Sequence, residues 1–182
     1  MIQHYFIGIQ IPGKEAAIFD QKKNFMELQK SHKIPVAPED MHITLVYLGA
    51  VEKEVLHKLI QEIEIVAPKN SSFQLTSSQV KVFGNPSKPR VVYANIEENP
   101  VLMRLQKVLA TCMNFVSMNY EEKKYVPHIT LAKKWRDTEQ FRALSTFNEP
   151  ITFEVKHFYI YEIHPNKSPK YKPIAMFQLG EA

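Results

Sequence analysis

Cysteine is almost missing from this chain. The 182 residues hold one, Cys112, in an apolar helical pattern, so no internal disulfide forms and the composition suits a reducing compartment. Glycine is scarce as well. The five glycines form neither a G-x-x-x-x-G-K-[ST] phosphate loop nor a G-x-G-x-x-G dinucleotide turn, and no G-x-S-x-G nucleophile turn is present. The chain has no HExxH and no cysteine cluster, the close ligand spacings that zinc sites favour, so neither a metal nor a cofactor is expected. No segment approaches the ~20 apolar residues that span a bilayer. The start, Met1-Ile2-Gln3-His4-Tyr5-Phe6, lacks the basic stretch and apolar run of a secretion signal. A cytoplasmic protein without membrane contact is expected.

Charge of one sign is in only mild excess. A net charge of +4 suits an anionic substrate but carries little weight alone. Hydrophobic residues make up 45%, enough at this length for a substantial core in one large domain or two small lobes.

What the chain does have is a phrase spoken twice. His42-Ile43-Thr44-Leu45 returns as His128-Ile129-Thr130-Leu131, 86 positions later. Side chains on a strand alternate, so His and Thr share one face while Ile and Leu anchor the other. Each copy then presents an imidazole beside a hydroxyl, and two copies facing one groove suit acid–base chemistry on a phosphate. The other histidines, His4, His32, His57, His157 and His164, have no such echo and read as structural or surface residues.

The remaining pattern extends the repeat. Gln3 to Ile11 alternates as a strand, with Tyr5, Ile7, Ile9 and Ile11 on one face, and Pro12-Gly13 ends it. Lys14 to Ser31 reads as a helix with Ile18, Phe25 and Leu28 inward. Pro35 and Pro38 mark a loop before the first motif strand, Met41 to Leu48. A second helix, Glu52 to Val66, repeats Val55, Leu59 and Ile63. Phe73 to Phe83 reads as a strand with a break at Ser77 and Ser78, and Gly84-Asn85-Pro86-Ser87 as a turn. Arg90 to Ile96 is a strand, and Pro100 opens a helix burying Leu102, Leu105, Leu109 and Cys112. After a charged loop, 121–126, the second motif strand runs from Pro127 to Ala132. Thr138 is a candidate cap for a helix to about Phe147, with Phe141 and Leu144 inward. Ile151 to Ile163 is rich in β-formers, 164–173 is a Lys- and Pro-rich loop, and Ile174 to Leu179 closes the chain as a strand.

A shift of 86 carries the first strand onto 91–97 and the first helix onto 100–117, and both halves then read strand, helix, motif strand, helix, strand. The expected fold is α+β: two pseudo-symmetric lobes, each an antiparallel sheet with helices on its outer face, and an active groove between them. The chain reads as a single bilobal domain over 1–182, an internal duplication of roughly 1–85 and 86–182 whose lobes are free to interleave.

These residues carry a family resemblance. The paired His-x-Thr-Leu tetrapeptides, one continuing as Val46-Tyr47-Leu48-Gly49 and one following Pro127, resemble the two-histidine (2H) phosphoesterases. The chain is most similar to the bacterial RNA 2′,3′-cyclic phosphodiesterases, also called LigT-like or 2′-5′ RNA ligase-like proteins. Tyr5-Phe6-Ile7-Gly8-Ile9 ending in Pro12, Phe83-Gly84 before Pro89-Arg90-Val91-Val92-Tyr93, and Ala132-Lys133 after the second motif extend the match over nearly the whole chain. It departs at Lys133, where relatives often carry Arg, a change that keeps charge and loses the bidentate fork. It departs again at His164, near where relatives often show a serine.

The resemblance implies metal-independent hydrolysis of RNA 2′,3′-cyclic phosphate ends to 2′-phosphates. It makes His42 the proton donor and His128 the base, while the sequence alone allows the reverse. Thr44 and Thr130 would hold the non-bridging phosphate oxygens. Lys133 is a candidate phosphate contact and Tyr171 a candidate base-stacking residue; their plain alternatives are a solvated lysine and a core tyrosine. The expected partner is an RNA with a cyclic phosphate end or a cyclic nucleotide, met by a monomer. Two alternatives stand beside this reading. One is a small cyclic-nucleotide phosphodiesterase or 2′-5′ RNA ligase; the other is a non-catalytic RNA- or nucleotide-binding protein that keeps the groove as a phosphate clamp.

Overall fold

The computed structural model describes residues 3–116, 118, 124–136 and 146–181. In chain order its elements are β1 (His4–Gln10), α1 (Gly13–Phe25), α2 (Leu28–Ser31), β2 (His32–Pro35), β3 (His42–Ala50), α3 (Lys53–Val66), β4 (Phe73–Asn85), β5 (Lys88–Asn95), α4 (Pro100–Phe115), β6 (His128–Trp135), β7 (Thr146–Val155), β8 (His157–Ile163) and β9 (Tyr171–Gln178). The strands form one antiparallel sheet in the order β7-β4-β5-β6-β3-β1-β8-β9, with β2 also paired to β6. The α+β expectation holds.

The two motif strands sit at the centre of the sheet and touch at one residue pair, Ile43 opposite Ile129. Beyond it β2 takes over the free edge of β6, pairing Ile34 with Lys133 and Pro35 with Ala132. Four strands lie on each side of the seam. On one side β4, from early in the chain, joins β5, β6 and β7; on the other β8 and β9, from the end, join β1 and β3. The helices cover the face that carries Ile7, Ile9, Ile43, Leu45, Ile129 and Leu131, all buried in one continuous core with Leu59, Leu102 and Leu105. The other face is left for the groove.

Three local expectations need correction. The helix read over Lys14–Ser31 is two, because Glu27 adopts a left-handed backbone (φ 51°) between α1 and α2. The inward stripe of α1 is Ala16, Phe19 and Lys23, spaced by three and four residues, and Phe25 lies off it at 74% exposure. Lys23 is buried because its ammonium donates to the Val36 carbonyl at 2.7 Å. The stretch around Pro35 contains a short strand, β2, where a loop was expected. The candidate helix over Thr138, Phe141 and Leu144 lies outside the described residues; Phe147, its expected end, is in β7.

The serine break in β4 is real and has a cause. Register shifts between Ser77 and Gln79, and the Asn95 side-chain oxygen accepts from the Ser78 and Gln79 amides at 3.0 and 2.8 Å. One side chain thereby satisfies two amides that a regular ladder would have used.

Candidate active site

The histidines are built into the sheet by matching devices. On β3 the partner register jumps from Ile7 opposite Val46 to Gly8 opposite Thr44, which leaves Leu45 as an extra residue. On β6 it jumps from Val92 opposite Ala132 to Tyr93 opposite Thr130, which leaves Leu131 extra. Each motif leucine is thus a β-bulge, and a bulge reverses which face the following residues present. His42 and Thr44 share the groove face, and after the bulge Tyr47 rejoins it. His128 and Thr130 do the same, followed by Lys133. The extra residue explains how Lys133, an odd step from His128, reaches the groove.

With Ile43 opposite Ile129, antiparallel register sets His42 across from Thr130 and Thr44 across from His128. Each imidazole is fixed through Nδ1. His42 Nδ1 bonds the Asp40 carbonyl at 2.7 Å and His128 Nδ1 bonds the Val126 carbonyl at 2.8 Å, each acceptor two residues upstream. A carbonyl only accepts, so both Nδ1 atoms carry a proton and Nε2 is the titrating atom in each ring.

Aromatic side chains back both rings. Phe6 and Tyr171 lie 4.6 and 4.8 Å from His42, ring centre to ring centre, and Tyr161 stacks behind Phe6 at 4.9 Å. His128 meets the edges of Phe83 and Tyr93 at 5.0 and 5.2 Å, a pair that stack at 4.2 Å. Gly8 is needed beneath Phe6, since a Cβ there would come within 2.9 Å of the Phe6 ring and 3.0 Å of the Ile43 carbonyl oxygen.

A cavity of about 330 Å³ opens at this point, lined by Phe6, Val36, Asp40, His42, Thr44, Tyr47, Thr130, Lys133, Ile163 and Tyr171. Five of the six expected site residues line it, and His128 stands beside it through Thr44 and Thr130. Burial pulls the His42 imidazole from its usual value to about 4, and the Lys133 and His128 charges pull the same way against the Asp40 carbonyl bond. Burial lowers His128 too, against its bond to Val126. Lys133 is lowered by burial and then by the charges of Lys170 and Lys134, with Asp40 opposing. The phenol of Tyr171 is raised, first by burial and then by the Asp40 charge.

Asp40 had no signal of its own in the sequence. The residue is 95% buried; its carboxylate accepts from the Lys170 amide at 2.8 Å and the Tyr171 amide at 3.3 Å, while its carbonyl holds His42. One residue therefore joins the start of β9 to the imidazole. Phe6, Tyr161, Phe83 and Tyr93 carry no sign of a site role in the sequence either, because aromatic residues on strands read as core. His164, the other departure, turns aside: its Nε2 lies 3.1 Å from Glu162 Oε1. Among the described residues no group of three or more His, Cys, Asp or Glu side chains could hold a metal ion.

Fold and geometry together define a two-histidine phosphoesterase class of site: twin imidazoles and hydroxyls on paired strands, presented to one groove. The model of the 2′-5′ RNA ligase superfamily matches residues 20–167, and the chain belongs to that superfamily. An RNA 2′,3′-cyclic phosphodiesterase of Bacillus subtilis is 34% identical over 97% of both chains. One from Geobacillus stearothermophilus is 27% identical over 97% of this chain and 57% of its own length. Among solved structures, E. coli LigT complexed with 3′-AMP superposes with a TM-score of 0.79 at 20% identity, over 98% of this chain and 99% of that one. TT0787 of Thermus thermophilus gives 0.82 at 23% identity, over 98% and 100%. At those identities the structures speak for the fold. No helix among the described residues is long and apolar enough to cross a membrane.

Proposed function

We propose that this protein is a phosphodiesterase that opens the 2′,3′-cyclic phosphate at an RNA end to leave a 2′-phosphate. The relatives' activity and the superfamily membership support the reaction. The observation that carries the site is the matched pair of Nδ1 clamps, which leaves two titrating Nε2 atoms on one groove.

Hydrolysis of the cyclic ester needs a base for the attacking water and an acid for the departing 3′ oxygen, on opposite sides of phosphorus. His128 takes a proton from water as the water oxygen bonds to phosphorus. The P–O3′ bond breaks, and His42 gives its Nε2 proton to that oxygen. The two histidines end with their protonation states exchanged and reset through solvent. Thr44 and Thr130 donate to the non-bridging oxygens as charge builds on them. Lys133 holds the phosphate as a point charge, and Tyr171 supports the terminal nucleoside.

The resting His42 is neutral near pH 7, and the substrate itself corrects this. Burial is the main cause of the lowered His42; a phosphate anion beside Lys133 offsets the smaller push of that lysine and adds an attraction of opposite sign, so bound substrate raises the acid. The groove residues all come from one chain, which supports a monomer acting on RNA ends. The twin bulges and clamps support reading 1–182 as one bilobal domain made by duplication, with the halves interleaved.

The test is to incubate the protein with a short RNA ending in a 2′,3′-cyclic phosphate and with 2′,3′-cyclic AMP, then map the remaining phosphate. A 2′-phosphate on the RNA product is expected. Saturable binding without turnover would make the protein a phosphate-clamp binder, and turnover confined to the mononucleotide would make it a small cyclic-nucleotide enzyme.

A further inference from the structure

A second cavity, about 620 Å³, lies past His42 at the end of β1, lined by the groove-face residues Gln10 and Tyr159 and also by Ile9, Ile11 and Ala16 from the helix side. Its position follows from register. Gln10 is opposite His42 and Gly8 is opposite Tyr159, and directly opposed residues in an antiparallel pair present the same face. Gln10 and Tyr159 both line the second cavity, together with His157, Glu39, Glu154 and Lys156. Rings connect the two places: His42 to Tyr161 at 6.4 Å, then Tyr161 to Tyr159 at 5.6 Å. Gly8 adds no side chain between them, which leaves the Tyr159 ring uncovered from that strand. Glu39 precedes Asp40, so one turn forms a wall of both cavities.

The lining chemistry selects the kind of group that fits. Lys156 Nζ lies 3.1 Å from Glu154, so its charge is spent there, and Glu39 leaves the cavity with a negative balance. That is wrong for a phosphate. It suits a nucleobase: a half-buried aromatic ring for the base face, and an exposed amide and carboxylate for its edge. The volume lies within the range of small-molecule sites and is ample for a nucleoside.

We propose that this cavity is a subsite for the base of the penultimate nucleotide, so that the protein is built for RNA ends of two or more nucleotides. The inference rests on the reaction proposed above. Tyr159 stacks on the base. Gln10 and Glu39 meet its edge, with the Glu39 carboxylate accepting from an exocyclic amino group, which favours adenine, cytosine or guanine over uracil. The backbone between the two nucleotides passes over Tyr161.

Affinity separates this claim from the reaction itself. The probes are the product-like dinucleotide ApAp with a terminal 2′-phosphate, its UpAp counterpart, and 2′-AMP, each titrated by calorimetry, with kcat/KM measured alongside on ApA 2′,3′-cyclic phosphate and 2′,3′-cyclic AMP. Wild-type protein should bind ApAp roughly tenfold or more tightly than 2′-AMP, as loss or gain of one stacked base commonly gives, and UpAp less tightly than ApAp. Tyr159→Ala should remove most of that advantage and leave 2′-AMP within about twofold; Tyr159→Phe, which keeps the ring, should restore it. Equal affinity of the wild type for ApAp and 2′-AMP would overturn the subsite, and so would a Tyr159→Ala loss of the same size on both ligands. If neither cyclic substrate is turned over, the reaction reading fails while the binding comparison still decides the subsite.

Discussion

Among the described residues three aromatic rings lie around His42 and two around His128. Phe6, Tyr161 and Tyr171 crowd the first imidazole, and its clamp comes from Asp40, a buried residue whose carboxylate also fastens the start of β9. The second imidazole has Phe83 and Tyr93 at its edges, and its clamp comes from Val126, a residue 39% exposed. The backbone device is the same in both halves. The surroundings differ, while burial lowers both rings, His42 to about 4. The His42 imidazole waits for substrate to be charged. Symmetry of backbone with asymmetry of burial is how a duplicated element can serve two chemical roles.

The largest expected effect falls on both halves equally. His42→Ala and His128→Ala should each lower kcat/KM on a cyclic-phosphate RNA by ~10² or more, the usual loss for a general acid or base. A variant retaining more than a tenth of the wild-type rate would break the pairing. Next comes the difference between the clamps. Asp40→Ala should cost roughly tenfold in kcat/KM, because it keeps the carbonyl that holds His42 but removes the carboxylate that ties the Lys170 and Tyr171 amides to that turn, leaving two amides without a charged acceptor. Val126→Ala, which keeps the carbonyl and removes an exposed side chain, should stay within about twofold; equal losses at 40 and 126 would show that the Asp40 side chain adds nothing.

The smallest effect is on stability. His42 has an ordinary value near 6.5 when unfolded and about 4 when folded, so the unfolded chain binds more protons between those pH values. Stability from this group is complete above about 6.5 and falls as pH drops toward 4, by up to about 3 kcal/mol. Urea midpoints at pH 7 and 4.5 should therefore lie closer together in His42→Gln than in the wild type.

Much of this arrangement was legible in the residues. The repeated tetrapeptide located the site, and strand alternation put His42, Thr44, His128 and Thr130 on one face. Helices α3 and α4 followed from leucine and isoleucine spacing. What escaped depended on contacts between distant segments. The bulges at Leu45 and Leu131 are visible only in pairing with β1 and β5, so alternation alone would turn Lys133 away from the groove. Asp40 reads as a loop residue until Lys170 and Tyr171, 130 positions away, donate to it. Phe25 reads as inward because it stands seven residues from Ile18 and three from Leu28 in one continuous helix, and the break at Glu27 removes that continuity. β2 is four residues held by its pairing with β6, and nothing local would predict it.

The central claim is that two imidazoles divide the two proton transfers of the reaction between them, and the pH dependence of kcat/KM on a cyclic-phosphate RNA tests it most directly. Both rings are lowered in the free protein, so the profile should be a bell whose maximum lies below pH 6.5, rising where the base loses its proton and falling where the acid loses its own. A flat profile from pH 5 to 8 would contradict the account.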